Sequence, residues 1–300
     1  MKKVNLDNIN SVIILKGDNV TAYRDPTAIY QDGIFRIFYT LVETEEDSNI
    51  YMYTAMSKSC DLINWTKPKK ITPRDSSLNF SSPGNIIRNN GKWIICLQTY
   101  PRQNGEKYAN GSARVWSMES DDLDNWNSPE VMKVKGNDVS IVNMGRMIDP
   151  YLIEDKDEKG KWWCFYKQNG VSISYSYNLR DWIYFGNGSS GENVCIIIKD
   201  NQYNLFHSPD NGIGLMKSKD LINWEKSQEQ ITLGQQEWEW AKGRLTAGFV
   251  LDCTEIEGIK KYLMFFHGTG PQDESVIFDT NACIGLAWSK DLINWQWPSI

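Results

Sequence analysis

One short phrase, present five times along the chain, limits what the chain can fold into. It reads Met216-Lys217-Ser218-Lys219-Asp220-Leu221-Ile222-Asn223-Trp224 and returns almost unchanged as Ala287-Trp288-Ser289-Lys290-Asp291-Leu292-Ile293-Asn294-Trp295. Ser57-Lys58-Ser59-Cys60-Asp61-Leu62-Ile63-Asn64-Trp65 keeps the wording, Ser117 to Trp126 is looser, and Ser174 to Trp182 is the most diverged. A self-similar unit at a period of tens of residues is the signature of a repeat architecture. The spacing is uneven, shortest from Trp182 to Trp224 and longest from Trp224 to Trp295. Helical solenoids need a steadier period and amphipathic runs of helix length, and the sequence offers neither.

The stretches between the phrases read as short strands and tight turns. Thr27 to Tyr30, a turn at Gln31-Asp32-Gly33, and Ile34 to Thr40 form the pattern of a hairpin with an Asp-Gly turn. The same grammar recurs around Asn89-Asn90-Gly91, the acidic turn Glu154 to Gly160, Lys199-Asp200-Asn201 and the turn through Gly258. Three strands and a closing phrase, five times over, predict an all-β fold, a five-bladed β-propeller, with residues 1–300 as one domain. Radial repetition leaves only short sheet edges. In each phrase Asp or Asn caps a turn through backbone N–H groups, while Leu and Trp wedge between blades. A β-capable run follows most of the phrases but not the fifth, so Ser11-Val12-Ile13-Ile14-Leu15 is the expected missing strand, closing the ring beside the first or fifth blade.

Composition removes several classes of function. With 41% hydrophobic and 12% aromatic residues, the 300-residue chain has ample material for a core. A net charge of −6 argues against a nucleic-acid partner. No run of 18 apolar residues occurs, so no membrane span is expected. Met1 to Ser11 carries two lysines but no apolar segment after them, so no secretory leader is visible. The chain as it stands reads as cytoplasmic, or as secreted or periplasmic if a leader once preceded it. The six cysteines are scattered, with no CxxC pair, and read as buried reduced thiols. Zinc motifs, phosphate-cradling glycine loops and Gly-x-Ser-x-Gly elbows are absent.

In a propeller, the residues that open the innermost strand of each blade meet at one mouth of the central channel. Here they are Arg24-Asp25-Pro26, Ser82-Pro83-Gly84-Asn85, Ile148-Asp149-Pro150, Gly191-Glu192-Asn193 and Gly243-Arg244-Leu245. Two Asp-Pro pairs and a Glu at matching positions bring like charges together, and each raises the pKa of the others. An acid with a raised pKa beside a carboxylate base is the equipment of acid–base catalysis.

On these residues the sequence resembles glycoside hydrolase family 43, whose five-bladed propeller is shared by families 32, 62 and 68. The resemblance runs from about Asn19 to Trp295 and rests on the Arg-Asp-Pro head with its Asp-Gly hairpin and on Ile148-Asp149-Pro150 with the acidic turn after it. The family's fourth-blade Glu-Gly-Pro is here Glu192-Asn193-Val194. The resemblance implies Asp25 as general base, Asp149 as pKa modulator and Glu192 as general acid. It implies an inverting hydrolase of arabinofuranosyl or xylosyl linkages in a plant-type oligo- or polysaccharide. No cofactor is required, although a fifth-blade histidine such as His267 would help hold a calcium ion in the channel. Inversion places the two working carboxyls ~6.5–9.5 Å apart, whereas ~5–5.5 Å would indicate a retaining β-fructosidase of the family 32 type. A phosphorylase would need several basic residues at the mouth, and Arg24, Arg146 and Arg244 are the obvious ones. A non-catalytic propeller that binds carbohydrate or protein through the same mouth is the alternative from another class.

Other residues compete for roles. Glu237 and Glu239 are rival acids, and Trp238 and Trp240 between and beside them are expected to offer a platform to a sugar ring. Arg244 is expected to bind a sugar hydroxyl or carboxylate, or to balance the acids. His207, in the fourth unit at the place His267 holds in the fifth, is expected to touch the substrate.

Overall fold

The structure, a computed structural model, describes residues 4–209, 211–227, 230–231 and 233–298. Five antiparallel sheets follow one another around a ring, and the protein is a five-bladed β-propeller. Blade one is Thr21–Gln31, Ile34–Thr44, Ile50–Ser59 and Lys69–Lys70. Blade three is Ile148–Glu154, Trp162–Lys167, Val171–Ser176 and Ile183–Gly188, and blade four is Glu192–Lys199, Gln202–Ser208, Gly214–Ser218 and Glu225–Lys226. Blade two differs in that its inner strand is broken into Phe80–Ser81 and Ile86–Asn89, both paired with Lys92–Thr99. Each inner strand packs on the next around the ring, and blade five, built on Arg244–Cys253, Lys261–Thr269 and Cys283–Ser289, returns to blade one.

The hairpins form where the turn residues allow them. Asp32 and Gly33 both have positive φ, 54° and 77°, and so do Asp200 and Asn201, at 51° and 59°. Two successive left-handed residues match the twist of the flanking strands, which is why Asp-Gly and Asp-Asn serve there. Gln31 consequently pairs with Ile34, and Lys199 with Gln202.

The repeated phrase is a hydrogen-bonded turn with a left-handed leucine at its centre. In the first copy, Ser59 Oγ accepts from the N–H groups of Asp61 and Leu62, at 3.2 and 2.9 Å. Asp61 Oδ1 accepts from the N–H groups of Ile63 and Asn64, at 2.9 and 2.8 Å, and Asp61 Oδ2 accepts from Asn64 Nδ2 at 2.8 Å. These bonds hold Leu62 at φ 65°, and Leu123, Leu179, Leu221 and Leu292 stand at 66°, 61°, 64° and 71°. The third copy exchanges the two polar residues without losing the turn. Asn178 Oδ1 accepts from the Arg180 and Asp181 N–H groups, and Asn178 Nδ2 donates back to Asp181 Oδ2.

The tryptophans join neighbouring blades, as expected. Trp126 meets Phe38 of blade one edge-on at 5.7 Å, Trp224 meets Phe165 of blade three, and Trp295 meets Phe206 of blade four. Trp65 of blade one closes the circle on Phe265 of blade five, at 6.5 Å. Trp182 lies in a cluster with Ile94 and Cys96 of blade two. Five of the six cysteines are buried thiols, whereas Cys60 is exposed on the first turn.

Both ends of the chain complete blade five. Ile13–Leu15 pairs with Cys283–Ser289, Ile13 facing Gly285, and the Leu286 N–H donates to the Val12 carbonyl at 2.9 Å. Trp295–Gln296 pairs with the other end of the same strand, through Ser289 and Trp288. The segment before the strand buries Val4, Leu6, Ile9 and Val12 in the core. Burying an aliphatic side chain contributes ~1.5–3 kcal/mol. Deletion of residues 1–15 should therefore lower the unfolding free energy by several kcal/mol in a denaturant titration, and an unchanged transition midpoint would show the seam to be dispensable. Loss of one turn cap is milder, and Asp220→Ala is expected to cost ~1–3 kcal/mol by the same measurement.

Candidate active site

The inner strand of every blade carries one non-glycine residue in the left-handed region where it passes the mouth. These are Asp25 at φ 47°, Ser82 at 41°, Asp149 at 53°, Asn193 at 54° and Ala247 at 53°. In four blades the ladder to the second strand shifts register at this point, between Arg24 and Thr27, Ile148 and Tyr151, Glu192 and Cys195, and Thr246 and Phe249. Each is a bulge that bends the strand and re-aims the side chains on either side of it. Asp and Asn tolerate this conformation better than most residues. The ring corrects one expectation. The blade-four counterpart of Asp25 and Asp149 is Asn193, and Glu192 stands one residue earlier, at the level of Arg24, Ile148 and Thr246.

The mouth is a cavity of about 340 Å³, and Asp25, Asp149 and Glu192 all line it. Below the ring the channel narrows to a space of about 20 Å³, room for about one water. Blades one and two supply the struts between the two aspartates. The Thr40 hydroxyl donates to Asp25 Oδ2 at 3.0 Å and accepts from the Ser82 N–H at 2.7 Å. The Ser82 hydroxyl donates to Asp149 Oδ1 at 3.0 Å, and Gln98 Oε1 accepts from the Asp149 N–H at 2.6 Å.

The carboxyls differ sharply in their electrostatics. Asp149 is pushed up to about 7, first by burial and then by the charges of Glu192 and Asp25. Glu192 is held below its ordinary value although burial opposes this, because it forms ion pairs with Lys167 and with Arg244, the latter at 2.6 Å. Of the two, Asp149 holds its proton to the higher pH, whereas the acid role expected of Glu192 called for the raised value there.

The two histidines do the same structural job. His267 Nδ1 accepts from the Asp25 N–H at 3.0 Å, and His207 Nδ1 accepts from the Gly191 N–H at 2.9 Å. Both are buried, and burial lowers both pKa values, that of His207 to about 4. His207 thus lies behind Glu192 and does not line the cavity, contrary to the expected substrate contact. His267 does not fit a metal site. Its Nδ1 lone pair is occupied, which leaves Nε2 to carry the hydrogen, and this points toward Glu274 Oε1 at 3.5 Å. Glu274 already holds Arg24 and, at 2.5 Å, Arg244, so two guanidinium groups take up the carboxylate that a cation beside His267 would need. Among the described residues no group of three or more His, Cys, Asp or Glu is arranged as a metal site.

Trp238 and Trp240 are packing residues and not a sugar platform. Trp238 is 1% exposed, stacked on Trp240 at 5.4 Å and on Phe266 at 5.9 Å, with Trp297 edge-on. The indoles reach this position because glycines face them: a Cβ on Gly234 would lie 2.3 Å from Trp238, and one on Gly268 2.6 Å from Trp240. Glu237 and Glu239 are exposed and outside the cavity, with Glu239 paired to Lys242. Arg244 does line the cavity, with its fork engaged by Glu192 and Glu274, so it balances the acids.

Sequence reasoning missed Lys167, Glu274, Tyr100, Tyr108 and Phe278. Tyr100 stacks on Phe278 at 6.0 Å, and Tyr108 stands edge-on to the same ring at 5.3 Å and is 48% exposed. Together they form an aromatic wall beside the carboxyls. Lys167 alone carried a readable signal, as the last residue of a blade-three strand that begins at Trp162.

Neither a family model nor a curated protein matches the sequence. Solved structures match the fold. An α-L-arabinofuranosidase from Lactobacillus brevis superposes with a TM-score of 0.64 at 11% identity, covering 97% of each chain. A thermostable family-43 glycoside hydrolase gives 0.61 at 13% identity, covering 99% of this chain and 96% of its own. An exo-β-1,3-galactanase from Clostridium thermocellum gives 0.65 at 13% identity, covering 91% of this chain and 61% of its own. The shared feature is the five-bladed architecture.

The raised Asp149 and the lowered Glu192 act on stability in opposite pH windows. Asp149 binds its proton more tightly when folded, so its contribution is full below the unfolded value near ~4 and is lost as pH rises toward about 7. Glu192 stabilises above its unfolded value, and that contribution is lost as pH falls through its lower folded value. Asp149→Asn should therefore unfold at higher urea than the parent at pH 8, by on the order of 1–4 kcal/mol, and gain little at pH 4. An equal gain at both pH values would mean that Asp149 does not change charge in this window.

Proposed function

We propose that the protein is a glycoside hydrolase that cleaves an oligo- or polysaccharide at the mouth of its channel. One observation carries this reading: three carboxyls from three blades line one cavity, and one of them keeps its proton to about pH 7. A cavity with an aromatic wall suits the apolar face of a sugar ring, and the carboxyls suit its acetal. The shared architecture of the arabinofuranosidase and the galactanase supports the class, and pentose linkages, arabinofuranosyl or xylosyl, are the first to try.

Asp25 is the base that takes a proton from water, held by the Thr40 hydroxyl and by its own N–H on His267. Asp149 and Glu192 share one proton, which rests on Asp149 while Lys167 and Arg244 grip Glu192. Once that grip loosens, Glu192 delivers the proton to the leaving oxygen, and the anomeric carbon is attacked from the opposite side with inversion.

The roles predict unequal losses. General acid catalysis is worth ~10²–10⁴-fold, and a nitrophenolate leaves without it. Glu192→Gln should lose roughly that factor on an oligosaccharide while sparing nitrophenyl glycosides, whereas Asp25→Asn should lose both. A panel of nitrophenyl pentosides, fructosides and hexosides, with the product anomer followed by NMR, tests the class and the stereochemistry together. Full oligosaccharide activity in Glu192→Gln would move the acid to Asp149, and inactivity of the parent protein on every glycoside would leave a binding propeller.

A further inference from the structure

Four cationic side chains line the cavity, and three already have carboxylates. Arg24 is buried against Glu274, over the Phe278 ring. Arg244 is forked between Glu192 and Glu274, and Lys167 holds Glu192. Arg146 differs. Among the described residues its guanidinium has one hydrogen-bond partner, the Ala109 carbonyl, which accepts from Nε at 3.0 Å, and no carboxylate lies within ion-pair distance of it. It is nevertheless half-buried. A partly desolvated guanidinium without a counter-charge costs free energy that a ligand's negative charge would return.

Its neighbour is the most exposed of the other three cations. Ile148 pairs with Lys167 across the blade-three ladder, and Gln168 Nε2 donates to the Arg146 carbonyl at 2.9 Å, so Arg146 and Lys167 stand together on one rim. The aromatic wall of Tyr100, Phe278 and Tyr108 lines the same cavity. A ring-stacking wall in the company of two adjacent cations has the form of a site for a sugar that bears an anion.

We propose that the saccharide taken by this cavity carries a carboxylate, as a uronic-acid unit, and that Arg146 and Lys167 receive it. This rests on the glycoside hydrolase reading and narrows its substrate class. It also gives the proton donor its trigger. A substrate carboxylate competes with Glu192 for Lys167, so binding weakens one of the two ion pairs that keep Glu192 charged. An arginine presents a planar fork that matches a carboxylate in two parallel hydrogen bonds.

Inorganic phosphate shares the anion chemistry but would change the reaction. A phosphate oxygen would bond to the anomeric carbon as the glycosidic C–O bond breaks, the leaving oxygen would take a proton, and a sugar 1-phosphate would result. Phosphorolysis is therefore a separate outcome of the test.

The test measures binding by calorimetry, independently of turnover. The probes are glucuronate-bearing xylo-oligosaccharides, oligogalacturonides, and the same molecules after reduction of each carboxylate to the neutral alcohol. At least one acidic probe should bind ~10-fold or more tightly than its reduced counterpart, a ratio expected of a charged hydrogen-bonded pair. In Arg146→Gln the ratio should fall to within about a factor of two, and Arg146→Lys should keep part of it. A melting curve on each variant separates loss of the site from loss of the fold. Equal affinity for acidic and reduced probes, absence of binding to any acidic probe, or a ratio untouched by Arg146→Gln each overturns the proposal. So does a sugar 1-phosphate signal in phosphorus NMR when phosphate is added. The two readings fail separately. Hydrolysis of neutral glycosides without acidic preference sinks the uronate and leaves the hydrolase, whereas carboxylate-dependent binding without hydrolysis sinks the hydrolase and leaves the uronate.

Discussion

Five backbone positions at positive φ hold the mouth of the channel in shape. A left-handed residue in a strand is costly, ~1–3 kcal/mol where the side chain does not suit it, and persists only where its surroundings enforce it. Here the enforcement comes from the ring itself, since each bulged strand is pressed between two others. The bend sends the residue before each bulge, and in blades one, three and four the residue at it, into the cavity, and it returns the strand to regular pairing two or three residues later. Asp25 and Asp149 occupy such positions, so the geometry that closes the propeller is also the geometry that brings two acids together.

The outer rim follows a parallel logic with different chemistry. A left-handed leucine is uncommon, and five of them survive because serine, aspartate and asparagine side chains satisfy the N–H groups of the turn around each. The turn fixes where the tryptophan goes, and four of the tryptophans meet a phenylalanine of the preceding blade. Blades are thus locked at both radii, by packing outside and by bulges inside. Side chains mounted on a frame of this kind need little reordering to act, which is what electrostatic preorganisation requires.

Much of the architecture was legible because it rests on local rules repeated five times. Asp32-Gly33 specifies its hairpin, the phrase ending in Trp specifies its turn, and the strand missing after Trp295 pointed to Ile13–Leu15. The acids were legible for the same reason, since the heads of the blades can be aligned by eye. The alignment failed by one residue at Glu192, because a bulge hides the register and only the pairing reveals that Asn193 is the counterpart of Asp149. The charges on the acids were not legible. Whether Glu192 or Asp149 keeps a proton depends on Lys167 and Arg244, one from the second strand of blade three and the other from the first strand of blade five. Trp238 and Trp240 misled for the converse reason: residues beside acids look like a binding platform, and it takes the space left by Gly234 nearby and by Gly268 far along the chain to turn them inward.

Blade five is finished by strands from both ends of the chain, and this has a consequence during synthesis. The first strand leaves the ribosome with no partner and waits about 270 residues for the sheet that receives it. Blade five also supplies Arg244, His267 and Glu274, the groups that hold Asp25 and Glu192 in place. Four blades can therefore gather on the emerging polypeptide while Glu192 still lacks Arg244 and Asp25 lacks His267. The mouth takes its final electrostatic form only with the last blade, so a nascent or prematurely terminated chain lacks that arrangement until the whole ring stands.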